Sequence, residues 1–176
     1  MTMTSNSPRP ATTLVWKLGD DVSTDVIYPG RYMATVLPTE TPQYAFADLA
    51  ELNKQLVSGA IPRGSAIVAG KNFGCGSSRE QAASALRGYD LVIVAKGFSR
   101  IFLQNAINLG LRTVICPGIE ATEGDELEVH PDRVVNVTTG RTFAATPLPA
   151  SRQAIIDAGG LIPYTRQKLM ERRSAQ

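Results

Sequence analysis

An α/β fold with a mainly parallel core sheet and additional β structure is predicted by three observations. Residues 66–69, 91–95 and 113–116 are short apolar runs, and an unbroken run such as Leu91 to Ala95 marks a strand covered on both faces. Helical stretches alternate with these runs. The order strand–helix–strand–helix–strand places the three strands in parallel, because each return crosses over one face of the sheet. Residues 126–137 and 141–145 alternate apolar and polar instead, which predicts antiparallel strands with a hairpin across 138–140.

Each element follows in chain order. Residues 1–11, rich in Thr, Ser and Pro, read as a loosely ordered lead-in, and residues 12–176 as a single domain. Residues 13–18 form the first strand, and 19–35 a loop rich in Asp, Gly and Thr. Residues 39–42 are turn-like. A helix is predicted over 44–56, with Phe46, Leu49 and Leu52 or Asn53 near one face. After the strand at 66–69 comes the glycine-rich segment 70–76, and Ser77 or Ser78 opens a helix that runs to Arg87. The helix at 99–109 sets Phe102, Leu103, Ala106, Ile107 and Leu109 on one side and closes at Gly110, the usual place for a left-handed C-terminal glycine. Helices over 151–158 and 165–173 end the chain.

Composition excludes several classes of function. The 176 residues carry a formal net charge of +2, so no strong field favours nucleic acid or a membrane surface. The basic stretch 166–173 reads as a solvated helix face. No apolar run reaches the roughly eighteen residues of a membrane span, and the N-terminus lacks the apolar stretch of a secretory signal; the expected location is the cytoplasm. Two cysteines, Cys75 and Cys116, are too few for a disulfide framework or an iron–sulfur cluster. With His130 as the only histidine, a zinc site or a histidine-based triad within this chain is disfavoured. Chemistry must come from Ser, Asp, Arg, Lys, Tyr or Cys, or from a partner.

The segment best suited to chemistry is Gly70-Lys71-Asn72-Phe73-Gly74-Cys75-Gly76-Ser77-Ser78-Arg79-Glu80, between a buried strand and a helix. Glycines there let backbone approach a ligand closely. A helix start offers unpaired N–H groups and the positive end of a dipole, which together make an anion site. Arg79 adds a two-pronged donor suited to a carboxylate. The alternative is simple capping: Ser77 with Glu80 and Ser78 with Gln81 both fit the capping-box pattern. One serine can cap, and the other hydroxyl is then free. The phosphate-loop pattern and the G-x-S-x-G nucleophile elbow are both absent. Cys75 reads as a small packing residue, and Asp20 with Asp21 as a solvated turn.

Asn72 to Glu80, with its G-C-G-S-S-R-E core, closely resembles the signature of the small subunits of 3-isopropylmalate dehydratase and, more widely, of the aconitase family. Two further segments carry the resemblance. One is Ala95-Lys96-Gly97-Phe98-Ser99-Arg100-Ile101-Phe102 followed by Asn105-Ala106-Ile107-Asn108-Leu109-Gly110-Leu111. The other is Gly19 to Tyr32, containing Thr24-Asp25-Val26-Ile27-Tyr28-Pro29-Gly30-Arg31-Tyr32. The three lie in the family's order and span residues 19–117.

The resemblance implies a swivelling three-layer β/β/α domain that closes over an active site shared with a large subunit. This chain then binds no cofactor and no metal. The [4Fe–4S] cluster belongs to the large subunit, in a heterodimer or heterotetramer, and its open iron binds a substrate oxygen. The reaction is the removal and re-addition of water on a small dicarboxylate hydroxy acid, as in the leucine pathway. Ser77 would be the catalytic base, acting as an alkoxide, and Arg79 would bind a substrate carboxylate. Ser78 would donate to the substrate or cap the helix. Thr24 and Asp25 would lie at the substrate, with Asp25 orienting an arginine; a plain Asx-turn at Asp25 is the alternative. Substrate choice would rest on the loop Arg31, Tyr32, Met33, Ala34 and Thr35. Ala34 stands where an arginine reads the extra carboxylate of tricarboxylate substrates, and apolar neighbours suit isopropyl or methyl. Residues 37–42 depart from the leucine-pathway pattern, so dimethylmalate, methylmalate or homoaconitate relatives remain alternatives, as does a non-catalytic anion-binding domain of the same fold. Without its partner, such a chain can expose an apolar patch and self-associate.

Overall fold

A computed structural model describes residues 12–174; the expected lead-in, 1–11, lies outside the described residues. Seven strands form one sheet in the order β4-β3-β2-β1-β5-β6-β7. β1 (Thr12–Lys17), β2 (Ala66–Ala69), β3 (Val92–Ala95) and β4 (Arg112–Ile115) are parallel. β5 (Glu126–Val129), β6 (Arg133–Asn136) and β7 (Arg141–Ala144) are antiparallel. β1 joins the two halves: Thr12 and Thr13 pair with β5, and Leu14 to Lys17 pair with β2 after a register irregularity between Leu14 and Trp16. A bulge at that point turns the strand and increases the local twist.

Alternation along β2 and β3 builds three layers. Ile67, Ala69, Ile93 and Ala95 face one core, which also contains Ala82, Ala83, Ala85 and Leu86 of α3 (Glu80–Gly88) and Phe102 and Ala106 of α4 (Arg100–Leu109). The alanines let α3 lie close against the sheet. Ala66, Val68, Val92 and Val94 face a second core, closed by Leu127, Val134 and Phe143 of the antiparallel strands. The parallel strands are thus buried on both faces, by helices on one side and by β structure on the other, which is the expected β/β/α layering.

α4 matches its sequence signals. Ser99 Oγ accepts from the Phe102 N–H, and Gly110 closes the helix at φ 70°. α5 (Ala150–Asp157) and α6 (Leu161–Ser174) follow. Two expectations need correction. The helix predicted over 44–56 is split into a 3-10 turn, Thr41–Tyr44, and α2, Ala50–Val57. Phe46 breaks it: the residue takes φ +53°, is fully buried, and its N–H bonds to Ile27 O at 2.7 Å. Burying a phenylalanine outweighs the few tenths of a kcal/mol per residue at stake in helix propensity. The stretch 19–35, expected as a loop, contains a helical turn at 24–27 capped by Ser23; residues 126–137 form two of the expected antiparallel strands, turning at Pro131 and Asp132, where the His130 N–H reaches Arg133 O at 2.9 Å. Among the described residues, no helix is long and apolar enough to cross a membrane.

Candidate active site

The loop from β2 to α3 is tied to both neighbouring segments. Asp20 Oδ1 accepts the Lys71 N–H at 2.7 Å, and Asn72 Nδ2 donates to Asp21 Oδ1 at 2.8 Å. The two aspartates therefore brace this loop. The Gly74 N–H donates to Val22 O at 2.7 Å, and Ser99 Oγ donates to Gly74 O at 2.7 Å. Gly74 sits at φ +78°, and a Cβ there would lie 2.2 Å from the Phe102 ring; no other residue fits without displacing α4. Phe73 is fully buried, edge-on to Phe98 and Phe102. The three segments singled out in the sequence thus meet at one end of the parallel sheet.

Neither serine caps α3, contrary to the capping-box pattern. The cap position is Arg79, extended at φ −59° and ψ 118°, and no side chain bonds to the first-turn N–H groups. Tertiary contacts hold the serines out of the helix. Thr24 Oγ1 accepts the Ser77 N–H at 3.1 Å, and Asn105 Nδ2 donates to Ser78 O at 3.1 Å. Both serines are exposed. Two hydroxyls therefore stand in front of a helix whose leading N–H groups have no side-chain acceptor, an arrangement that attracts an anion.

Arg79 lies beside them with its side chain only 14% exposed. Its Nη1 donates to Asp25 Oδ1 and to Tyr28 O, the latter at 3.2 Å. Its Nε is buried without a partner among the described residues. Nη1 is thus fixed, and Nε, closed off from solvent, is a donor to which the described residues supply no acceptor. Asp25 also accepts the Gly30 N–H at 3.2 Å. The hydrogen bond from Arg79 is the main cause holding the Asp25 carboxyl below the usual aspartate value, so it is ionised at neutral pH. Thr24 is buried behind Ser77, its Oγ1 3.2 Å from Ser77 Oγ.

The loop at 31–35 runs along the same edge. Arg31 is bound by Asp48 through both terminal nitrogens, at 3.0 and 2.5 Å, and its guanidinium lies 4.6 Å over the Tyr32 ring. Tyr32 stacks on Tyr44 at 4.1 Å. The buried Tyr28 donates its hydroxyl to Tyr32 O at 3.1 Å, with Thr35 O at 3.4 Å. Gln81, in the first turn of α3, donates to Met33 O at 3.3 Å. Ala34 is exposed, as are Met33, Val36 and Leu37. Tyr28, Tyr44, Asp48, Gln81 and Asn105 were not recognised from the sequence as supports of this site. Asn105 and Tyr28 lie within the motif segments; Gln81 entered only as half of a capping box, and nothing local marks Asp48, because the partners of both are far away along the chain.

Known proteins resemble this chain over most of its length. The model of the aconitase C-terminal domain family matches residues 25–117, which contain Asp25, Arg31, Ser77, Ser78 and Arg79. The 3-isopropylmalate dehydratase small subunit of Methanosarcina acetivorans is 44% identical over 162 residues, covering 89% of this chain and 97% of that protein. The isopropylmalate/citramalate isomerase small subunit of Methanocaldococcus jannaschii is 42% identical over 163 residues, covering 89% and 94%. A crystal structure of 3-isopropylmalate dehydratase from Methanocaldococcus jannaschii superposes with a TM-score of 0.84 at 34% identity, covering 93% of this chain and 98% of that one. With a family match over more than half its length and full-length relatives above 40% identity, the chain belongs to the aconitase C-terminal domain family, among the small subunits of 3-isopropylmalate dehydratase.

Proposed function

We propose that this chain is the small subunit of a 3-isopropylmalate dehydratase, a hydro-lyase that interconverts 2- and 3-isopropylmalate in leucine biosynthesis and is active only with a large subunit. The observation that carries this reading is the pair of exposed serines at an uncapped helix start, beside an arginine with a donor to spare. Arg79 binds a substrate carboxylate and sets the adjacent carbon at Ser77. Ser77, as an alkoxide, takes the proton from that carbon. The C–H electron pair becomes the second bond of an alkene as the hydroxyl on the neighbouring carbon leaves as hydroxide. Rehydration runs in the opposite sense: the proton on Ser77 passes to the carbon that lost hydroxide, hydroxide adds to the carbon that lost the proton, and Ser77 is an alkoxide again at the end of the cycle. Ser78 donates to the substrate, and the first-turn N–H groups of α3 stabilise negative charge.

The residues of this chain do not fit a [4Fe–4S] cluster. Cys116 lies in the second core, donates to Ala144 O at 3.4 Å, and burial pushes its thiol up to about 11, so it offers no thiolate at neutral pH. Among the described residues, no group of three or more metal-binding side chains occurs. We therefore assign the cluster to the large subunit. Both cysteines are free thiols, in keeping with a cytoplasmic location.

Asp25 positions Arg79 and is largely exposed, so the pair is worth about 0.2–1 kcal/mol. Asp25→Asn is expected to raise KM by about two- to fivefold with little change in kcat. Because the Asp25 pKa is depressed, the ionised pair is complete above the ordinary aspartate range and is lost only as pH falls through the lowered value. Wild-type KM is therefore expected to stay flat from neutral pH down to about 5. A rise in KM between pH 7 and 6 that Asp25→Asn removes would contradict this assignment.

The loop at 31–35 sets the substrate. Met33 and Ala34 present an apolar, uncharged surface, and Arg31 is already engaged by Asp48. An extra carboxylate would be left without a partner there, at a cost of a few kcal/mol. In the enzyme reconstituted anaerobically with a cluster-bearing large subunit, kcat/KM for 2-isopropylmalate is expected to exceed that for homoaconitate by at least about 10²-fold. Citramalate, named for one relative, is the second substrate the same surface suits. A preference for the tricarboxylate would overturn the reading.

A further inference from the structure

Thr24 stands behind Ser77 with its hydroxyl committed in one direction. Its Oγ1 accepts the Ser77 backbone N–H at 3.1 Å and lies 3.2 Å from Ser77 Oγ. The hydroxyl has no further hydrogen-bond partner among the described residues. Thr24 is 1% exposed, so water does not compete for it. A hydroxyl has one proton and two lone pairs. The amide occupies one lone pair, and the acceptor within reach of the proton is Ser77 Oγ.

The backbone holds this arrangement closely. The Thr24 N–H donates to Cys75 O at 2.7 Å, and Ser23 pairs with Cys75 as an isolated bridge. Ser23 also caps α1 (Thr24–Ile27), so the hydroxyl projects from a fixed first turn. Between Cys75 and Ser77 lies Gly76 at φ +99°, where a Cβ would stand 3.3 Å from Thr24 Oγ1. Glycine is needed there for its backbone angle, and its bare Cα leaves the approach to the threonine hydroxyl open.

We propose that Thr24 is a positioning residue for Ser77, donating its hydroxyl proton to the Ser77 alkoxide without touching the substrate. The proposal rests on the reading of Ser77 as the base. While Ser77 is neutral, either hydroxyl can donate to the other. Once the exposed Ser77 has released its proton to solvent, before substrate binds, Thr24 is the one of the two hydroxyls that can donate, and the bond becomes charge-assisted. An interaction that strengthens only in the reactive ionisation state raises the rate rather than the affinity. The threonine proton stays on Thr24 throughout; the proton that moves passes between substrate carbon and Ser77 Oγ.

The test uses the reconstituted two-subunit enzyme with three variants. Thr24→Val keeps the shape and removes the donor. It is expected to lower kcat by about 10²- to 10³-fold, as for loss of one preorganised donor, with KM within about threefold. Substrate deuterated at the carbon that loses its proton is expected to show a larger isotope effect on kcat in Thr24→Val than in wild type, since proton abstraction becomes slower. Thr24→Ser is expected to recover kcat to within about tenfold of wild type. Should Thr24→Val fail to assemble, Thr24→Cys replaces it, with a weak donor and the same expected loss. A Thr24→Val kcat within threefold of wild type, or an isotope effect unchanged from wild type, would overturn the proposal, as would a Thr24→Ser variant no better than Thr24→Val. Ser77→Ala in the same assay separates the two levels. Turnover lost in Ser77→Ala but kept in Thr24→Val defeats only the role of Thr24, whereas turnover kept in Ser77→Ala defeats the base assignment and the proposal with it.

Discussion

Replacing Ser77 with alanine is expected to lower kcat of the reconstituted enzyme by about 10³- to 10⁴-fold, the upper range for loss of a positioned base. Assembly should be unaffected. The Ser77 side chain is exposed, bonds among the described residues only to Thr24 Oγ1, and does not cap α3. Removing the Ser77 hydroxyl leaves the buried Thr24 hydroxyl without its acceptor, at a cost of about 1–3 kcal/mol, so the melting temperature should fall by a few degrees while the affinity for the large subunit stays close to wild type. Because the alanine variant still presents Arg79 and the helix start, KM should change by less than about threefold. A proportionate loss in binding and turnover would instead make Ser77 a contact residue. Steady-state kinetics combined with a subunit titration separates these outcomes.

Arg79→Lys is expected to lower kcat/KM by about 10²- to 10³-fold, mostly through KM. The substitution keeps the charge, so any loss reports geometry. Arg79 spends Nη1 on Asp25 and Tyr28 O and keeps Nε without a partner. Lysine has a single ammonium, which cannot pair with Asp25 at one side and grip a carboxylate along the other. Truncating one partner of a mostly desolvated charged contact costs about 2–5 kcal/mol, and the middle of that range corresponds to the expected loss. Folding should tolerate the change, because Asp25 is 62% exposed and is hydrated when its partner withdraws. An Arg79→Lys enzyme within fivefold of wild type would show that the fork is not used on substrate.

The core of the fold was legible because its strands and helices carry strong local signals. The runs at 66–69 and 91–95 became β2 and β3 within one residue, and Gly110 ended α4 where expected, its start falling one residue later than predicted because Ser99 caps it. Elements governed by distant partners were not legible. Phe46 gives up helical geometry to fill the core beneath Ile27, and no window around residue 46 contains that information. The same holds at the site. Ser77, Ser78 and Arg79 were found from a contiguous motif, yet the capping-box reading of the serines failed because Thr24 and Asn105, 53 and 27 residues away, claim the Ser77 N–H and the Ser78 carbonyl. Local pattern identified the residues; long-range hydrogen bonds decided which of their atoms remain free.

The three motif segments form one edge of the molecule. β2 delivers the glycine-rich loop, α4 braces it through Ser99 and Asn105, and the first turn of α1 brings Thr24 and Asp25 against it. In the proposed mechanism this edge supplies a proton acceptor, a carboxylate clamp and an apolar wall. The proposal assigns the cluster to a large subunit, so half of the proposed chemistry would arrive with another chain.

The most direct measurement is therefore a titration. A fixed amount of cluster-loaded large subunit is mixed anaerobically with increasing amounts of this chain, and the conversion of 2-isopropylmalate is followed. The expected result is no turnover from either chain alone and a rate that rises to a plateau at a fixed stoichiometric ratio. Turnover by the large subunit alone, unchanged by adding this chain, would contradict the shared site.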